Sequence, residues 1–303
     1  MKKFPKISIV TPSFNQGNFI EQTILSIIKQ DYPNLEYIII DGGSTDNTLD
    51  VIKKYEKYLK YWVSEPDNGQ SHALNKGFSI ATGEIYAYIN SDDCLYPGTL
   101  LEVAKAFNNS RIKKNLLFVG DSHVGIDYSN NISGHIFSPY PGPYDVEKFV
   151  QGYGMFPQPS CFWTKTNLTF STFFNFAMDH DFWIQLLESN YKVIILKKTL
   201  SFYRVHDSAK GAVKTHEMWA DLLLLQIRYL AYSSNSGDFL FISKAFSYKF
   251  REFYISMVKK NSFNWSFMKF IRFYKFLFFN FPSVINYRFI KFTVGFYLKS
   301  RKK

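Results

Sequence analysis

Residues 5–48 read PKISIVTPSFNQGNFIEQTILSIIKQDYPNLEYIIIDGGSTDNT, and this stretch decides the fold class. Ile7–Thr11 is a short β-branched run that Pro12 stops, the mark of a buried strand. Asn18 to Asp31 sets Phe19, Ile20, Ile24, Leu25, Ile27 and Ile28 on one side at helical spacing, which predicts a helix. Tyr37–Ile40 is a second apolar run, ended by Asp41-Gly42-Gly43. Ser44, Thr45, Asp46 and Asn47 are cap-type residues and predict a further helix to about Leu59. Short buried strands alternating with helices give an α/β domain with a mostly parallel sheet.

The pattern continues outward. Tyr61–Val63 reads as a strand, Gln70–Ala81 as a helix, Ile85–Ile89 as a strand and Pro97–Phe107 as a helix. From about 106 to 210 it loosens. Leu116–Gly120, Ile132–Phe137, Cys161–Trp163 and Val193–Leu196 read as strands and Asp181–Ser189 as a helix. Gly and Pro crowd 139–159, which predicts a long loop, and everything beyond Thr215 reads helical.

Composition bounds the rest. A chain of 303 residues, 46% hydrophobic and 20% charged, is neither disordered, collagen-like nor a mini-protein. Two cysteines, Cys94 and Cys161, exclude a disulfide framework and a four-cysteine zinc site, and point to the reducing cytoplasm. Pro12, Ser13 and Asn15 break any apolar stretch after the two N-terminal lysines, so no signal peptide is expected. With no run of 18 or more apolar residues, no transmembrane helix is expected either. The charge is uneven. Residues 239–303 hold 14 Lys and Arg against one acid, Glu252, and 22 of the 58 aromatics; residues 1–238 hold 22 bases and 24 acids. Such a tail suits an anionic membrane surface, or packing on the catalytic domain or another subunit. Pro282 separates two of its expected helices. Nucleic acid is not the expected partner, because no nucleic-acid-binding fold accompanies the tail.

In open α/β sheets ligands bind at the carboxyl ends of the strands. Here those ends carry Thr11-Pro12-Ser13-Phe14-Asn15, then Asp41-Gly42-Gly43-Ser44, then Ser64-Glu65-Pro66-Asp67-Asn68-Gly69, then Asn90-Ser91-Asp92-Asp93. Four such ends describe a polar pocket. Adjacent carboxylates at Asp92-Asp93 repel unless something positive joins them, and Mg²⁺ or Mn²⁺ with bound phosphates would answer that. There is no GxGxxG and no GxxxxGK[ST], so neither a dinucleotide fingerprint nor a P-loop is present.

These motifs together resemble family 2 glycosyltransferases of the GT-A fold, of the bacterial surface-polysaccharide type. The opening stretch, WVSEPDNGQSHALNKGFSIATGE, INSDD, MDHDFWIQL and FYRVHDSAKG stand in the family's order and cover roughly residues 5–212. The resemblance implies a glycosyltransferase domain over 1–212, with a nucleotide-sugar half (1–105) and an acceptor half (106–212), and leaves 213–303 as an extension. It implies that Thr11, Pro12 and Ser13 hold the base and ribose, that Asp41 hydrogen-bonds the base, that Asp93 ligates the metal and that Asp92 meets the ribose or donor sugar. Asn90 stands where many members have the first acid of the DxD-type motif, which leaves less negative charge for the metal. Asp179 matches the acid that deprotonates the acceptor hydroxyl, and Met178 replaces the Glu often found before it. Asp181 is the alternative base; two positions apart on a helix the side chains diverge by about 200°. Arg204 and His206 match residues near the diphosphate, His206 as a third metal ligand or a donor to the leaving group. Gln158 lies in the acceptor-side loop, and Glu65, Asp67 and Asn68 lie where the donor sugar is read.

The implied activity is an inverting, Mn²⁺- or Mg²⁺-dependent transfer of one sugar. It runs from a nucleotide sugar, UDP by family habit, to a hydroxyl of a lipid-linked glycan at the inner face of the membrane. Two other readings stay open. A nucleotidyltransferase would want a Gly-rich loop with Arg and Lys, which Thr11–Gly17 lacks. A non-catalytic assembly protein would explain Asn90 and Met178.

Overall fold

Ile7, Ile9, Ile39 and Ile85 bury against one set of helices, and Val10 and Ile40, their neighbours along the same strands, face another. This alternation makes a sheet covered on both faces. A computed structural model describes residues 4–129, 134–142 and 156–210, with isolated positions between 144 and 229. The chain divides into two compact units, Met1–Val213 and Lys214–Lys303. Of the helical stretch expected beyond Thr215 only isolated positions from 218 to 229 are described, all of them helical, and the basic tail 239–303 lies outside the described residues.

The strands are β1 (Ile7–Ser13), β2 (Leu35–Asp41), β3 (Tyr61–Ser64), β4 (Ile85–Tyr88), β5 (Cys94–Leu95), β6 (Leu116–Gly125), β7 (Gly134–Phe137), β8 (Cys161–Thr164) and β9 (Lys192–Arg204). They form one sheet in the order β3-β2-β1-β4-β8-β6-β9-β5, with β7 on β6. The first four are mutually parallel, so their carboxyl ends lie at one edge. β8 is antiparallel to both β4 and β6, and β6 runs parallel to β9, so the second half of the sheet is mixed.

The helices are α1 (Ile20–Ile28), α2 (Thr48–Lys54), α3 (Gln70–Ile80), α4 (Thr99–Asn109) and α5 (Met178–Glu188). The apolar sides of α1, α2 and α4 share a core with Ile7, Ile9, Ile39, Ile85, Phe118 and Phe162. On the opposite face Phe78 of α3 and Phe182 of α5 pack against Trp163 of β8, at 5.4 Å and 5.2 Å between ring centroids.

Several elements differ from the sequence reading, among them β1, which passes Pro12 to end at Ser13, α2, which ends at Lys54, and β6, which runs on to Gly125. α1 is shorter at its end because Asp31 takes a left-handed φ of +46° two residues before Pro33. α2 begins at Thr48 because Ser44 and Asp46 spend their side chains tying loops together. β9 runs on to Arg204 through Lys197, Lys198 and Thr199, which interrupt the apolar pattern where the β6–β9 register slips beside Gly120. β5, two residues long, has no sequence signal.

The amino ends of the strands carry a polar knot. Glu36 is buried and accepts bonds from Ser8 Oγ (2.5 Å), Thr82 N–H (2.6 Å) and Thr82 Oγ1 (2.7 Å), with Lys6 Nζ at 3.0 Å. Burial alone would raise its pKa, but these donors together hold it down at about 2.

Candidate active site

The last residues of β1 and β2, Ser13 and Asp41, lie side by side in register. Asp41 is wholly buried. It accepts bonds from Gly43 N–H (3.1 Å), Ser44 N–H (2.8 Å), Ser44 Oγ (2.5 Å) and Ser64 Oγ (2.7 Å). A carboxylate has about four acceptor positions, so Asp41 is filled by its own surroundings and fixes the turn, which Gly43 makes at φ +85°. The N–H groups of Asn15, Gln16 and Gly17 go to Ser44 Oγ, Thr48 Oγ1 and Asp46 Oδ2, locking the loop after β1 to the loop after β2. Thr11 is wholly buried with its hydroxyl 3.2 Å from Tyr37, and Pro12 sits inside β1. Ser13 differs: it is 5% exposed and its Oγ has no hydrogen-bond partner. Gln16 Oε1 is buried and unpartnered in the same loop. Buried unpaired polar atoms are costly unless a ligand or water meets them.

The structure brings Asp92, Asp93, Arg204 and His206 together. Asp93, wholly buried in the turn after β4, accepts the N–H of Arg204 at 2.9 Å on Oδ1 and the Asn90 amide at 3.1 Å on Oδ2. The Arg204 guanidinium donates from Nε to the Asp92 carbonyl (2.9 Å), from Nη1 to the Ile126 carbonyl (3.1 Å) and from Nη2 to Gln22 Oε1 (2.5 Å). It lies over the rings of Phe19 and Phe202. His206 Nε2 is 3.1 Å from Asp92 Oδ2, and its ring packs on Phe19 at 4.4 Å. Burial first, and then the neighbouring Asp92, hold the Asp93 carboxyl well above the usual carboxylate range.

The two carboxylates of MDHD part company on α5. Asp181 is wholly buried and accepts a bond from Gln185 Nε2 at 2.7 Å. Asp179, in the first turn, keeps 23% of its side chain exposed. Its Oδ1 accepts the N–H of His180 at 2.8 Å and lies 3.1 Å from His180 Nδ1. Burial pushes the Asp179 carboxyl up, but the charge and hydrogen bonds of His180 outweigh it and leave the pKa below the ordinary value. Met178 points inward, its sulfur accepting the Ser71 hydroxyl at 3.0 Å. Tyr203 is 41% exposed on β9, and its phenol is pushed up by burial and then by Asp93, Asp92 and Asp179 in turn. It therefore stands within the field of both acidic groups.

Of the other expected residues, Glu65 pairs with Lys76, Asp67 Oδ1 caps Gly69 N–H at 2.7 Å, and Asn68 is exposed. Gln158 is buried and joins Asn90, 3.0 Å away. Sequence reasoning missed Gln22, Gln70, His180 and Tyr203. Gln22 and Gln70 sit on helices with nothing in the motif to mark them; His180 and Tyr203 lay inside quoted motifs but were not singled out.

Among the described residues no group of three or more His, Cys, Asp or Glu side chains forms a cage for a metal. The site still fits a hard divalent cation. It offers carboxylate oxygens with one imidazole, and it has two adjacent acids whose charge is only partly met. Mg²⁺ in particular takes one or two protein carboxylates and fills its shell with water and phosphate oxygens.

The strand order and the polar carboxyl edge are those of the GT-A fold. The solved structure of TarS 1–349 from S. aureus in complex with UDP-GlcNAc shares the fold, with a TM-score of 0.60 at 17% identity over 87% of this chain and 77% of that one. The family profile of Glycosyl transferase family 2 matches residues 8–162, and the chain belongs to that family. An uncharacterized glycosyltransferase of Mycobacterium tuberculosis, Rv1514c, is 30% identical over 165 residues, 54% of this chain and 60% of its own length. TuaG of Bacillus subtilis, a putative teichuronic acid biosynthesis glycosyltransferase, is 38% identical over 92 residues, 29% of this chain and 36% of TuaG. The chain spans less than two thirds of the length of these curated relatives.

Proposed function

We propose that the protein is an inverting, metal-dependent glycosyltransferase that moves one sugar from a UDP-sugar to a hydroxyl of a lipid-linked glycan during surface-polysaccharide synthesis. The catalytic domain is residues 1–212, the donor bound by 1–105 and the acceptor by 106–212, with 213–303 as the extension. What supports this above all is the meeting of Asp92, Asp93, Arg204 and His206, drawn from positions more than a hundred residues apart. The nucleotide and the pathway rest on the likeness to TarS with its UDP-GlcNAc and to TuaG.

Ser13, whose hydroxyl is buried and unpartnered, takes the nucleotide beside the turn that Asp41 holds, with Thr11 and Pro12 shaping the strand beneath. Asp93, with Asp92 and His206 beside it, would hold Mn²⁺ or Mg²⁺. When bound, the ion supplies positive charge for the departing diphosphate. Arg204 fixes the backbone of Asp92 and, with its other two nitrogens held by Ile126 and Gln22, keeps a positive charge beside the turn that the diphosphate would meet. Asp179 accepts the acceptor's proton as that oxygen attacks the anomeric carbon. The bond from that carbon to the diphosphate breaks, and its electron pair leaves with the diphosphate. One displacement gives one inversion. Asp181, buried and bonded to Gln185, holds α5 and is not the base.

The enzyme works at the inner face of the membrane, held by residues 239–303. Among the described residues no helix is long and apolar enough to cross a bilayer. The tail's cations and aromatic rings suit anionic headgroups and the acyl boundary, about 1 kcal/mol for each basic residue near the surface. If the full-length protein and one lacking 239–303 partition equally onto anionic vesicles, the tail is no anchor.

The test of the activity is nucleoside diphosphate release from a panel of nucleotide sugars with Mn²⁺, with and without EDTA. One donor is expected to support release, EDTA to stop it, and Asp93→Ala to abolish it. No release from any donor, together with no metal-dependent thermal shift with any nucleoside diphosphate, would leave a non-catalytic role.

A further inference from the structure

Asn90 occupies the place where an acid was expected, and every polar atom of its side chain is committed. Its Oδ1 accepts Gln70 Nε2 at 2.7 Å. Its Nδ2 donates to Asp93 Oδ2 at 3.1 Å and to Gln158 Oε1 at 3.0 Å. Gln158 in turn donates from Nε2 to the carbonyl of Tyr88 at 2.8 Å. The chain of amides therefore runs Gln70 to Asn90 to Gln158 to Tyr88, with a branch to Asp93.

Its direction is fixed by chemistry at its ends. The Tyr88 carbonyl only accepts, so Gln158 must present its NH₂ there and its oxygen to Asn90. That turns the Asn90 NH₂ toward Gln158, and the same nitrogen lies against Asp93 Oδ2, whose other oxygen accepts the N–H of Arg204. Asn90 is thus required to give two protons on one side and take one on the other, which only an amide does. An aspartate would put oxygen against oxygen at both Asp93 and Gln158. The link also joins the two halves of the site: Gln70 opens α3 just after Gly69, and Gln158 opens the short 3-10 turn before β8.

We propose that Asn90 is a positioning residue that aims Asp93 and, through Gln158, ties the acceptor-side loop to the donor half. Asparagine is what this site requires, and the departure from the family's acid is a gain of function for the network. This rests on the transferase reading above.

The test uses the full-length protein and four forms: wild type, Asn90→Asp, Gln158→Glu and the double variant. Glu at 158 still accepts from Asn90 but meets the Tyr88 carbonyl with oxygen. Nucleoside diphosphate release is expected to fall about tenfold or more in kcat for each single variant, with donor KM within about threefold, because misaimed groups cost rate more than binding. The double variant is expected to lose little more than the worse single one, as coupled residues do. Asn90→Asp matching or exceeding wild type, or losses that multiply, would overturn the proposal. A readout without turnover guards against misfolding and against failure of the transferase reading. In wild-type protein labelled with ¹⁵N asparagine, the Asn90 side-chain NH₂ is expected to exchange slowly with solvent and to shift in Gln158→Glu. If wild type turns over no donor and shows no metal-dependent thermal shift with any nucleoside diphosphate, the transferase reading fails while a protected, Gln158-sensitive amide keeps the network. A freely exchanging amide sinks the network whatever the activity.

Discussion

The N–H of Arg204 lies 2.9 Å from Asp93 Oδ1, while its Nε lies 2.9 Å from the carbonyl of Asp92. One arginine at the end of β9 thus holds both the side chain and the backbone of the acidic turn that follows β4. Register explains it. The β6–β9 pairing carries β9 out to Gly125, and β5 pairs Cys94 with Phe202, so the acidic turn and Arg204 are delivered to the same place.

Arg204→Lys is expected to fail despite keeping the charge. Lysine cannot reproduce three contacts at separate nitrogens, so the carbonyls of Asp92 and Ile126 and Gln22 Oε1 lose donors. Stability should fall by about 2 kcal/mol, the usual cost of buried partners left unpaired. Donor kcat/KM should fall by roughly a hundredfold, since one side chain aims the whole turn. Thermal melting and nucleoside diphosphate release check the two separately.

Asp179 and Asp181 should separate cleanly. Asp179→Asn is expected to leave the melting temperature nearly unchanged and to reduce turnover roughly a hundredfold or more, the range for loss of a general base. Asp181→Asn should instead lower stability, with activity following the folded fraction. Because His180 holds the Asp179 carboxyl below its ordinary pKa, the base stays ionised at pH values where a free carboxyl begins to protonate. Rate against pH should therefore show no acid limb until below the usual carboxylate range, and His180→Ala should move that limb to higher pH.

The parallel half of the fold was legible because Ile7–Thr11, Tyr37–Ile40 and Ile85–Ile89 are mostly β-branched or aromatic runs with a polar stop, and continuous burial leaves that mark. β9 was half legible, since Lys197 and Lys198 reach solvent at an irregular register and erase the apolar signal. The acid–arginine–histidine cluster was legible as motifs, and their meeting was legible only through the family. The hydrogen bonds of Gln22, Gln70 and Gln158 were not, because an amide's partners depend on what the fold sets three ångströms away. Thr11 shows the converse: a hydroxyl in the nucleotide motif proves to be a core residue bonded to Tyr37.

Glu36 sets an acid limit on stability. Its folded pKa, at about 2, lies below the unfolded value, so its contribution is fully present above about pH 4.5 and is lost as pH falls toward 2. The difference is worth about 3 kcal/mol at neutral pH. Glu36→Gln should lower neutral stability by a similar amount and flatten the pH dependence in that window, because Gln keeps one acceptor oxygen where Ser8, Thr82 and Lys6 use two, and loses the charge that Lys6 meets. Denaturant unfolding between pH 2 and 7 measures it; identical slopes for wild type and variant would assign the acid limit to other groups.

Gly77 lets α3 sit close on the sheet. A Cβ there would lie 2.5 Å from Val10 Cγ1 and 3.3 Å from Ile40 Cγ1, both on core strands that cannot retreat. Alanine favours the helix by about 1 kcal/mol over glycine. Forcing a methyl into a packed interior costs about 1–3 kcal/mol. The second effect should win, so Gly77→Ala should melt about 3 °C lower, the usual shift for a loss of about 1 kcal/mol in a unit of this size. Ser79→Ala, on the exposed side of the same helix, gains propensity and loses only a solvent-exposed bond to the Lys76 carbonyl, so it should melt no lower than wild type. If both variants gain stability alike, α3 does not depend on this close approach, and the spacing between α3 and β1 has room that the side chains of Val10 and Ile40 can yield.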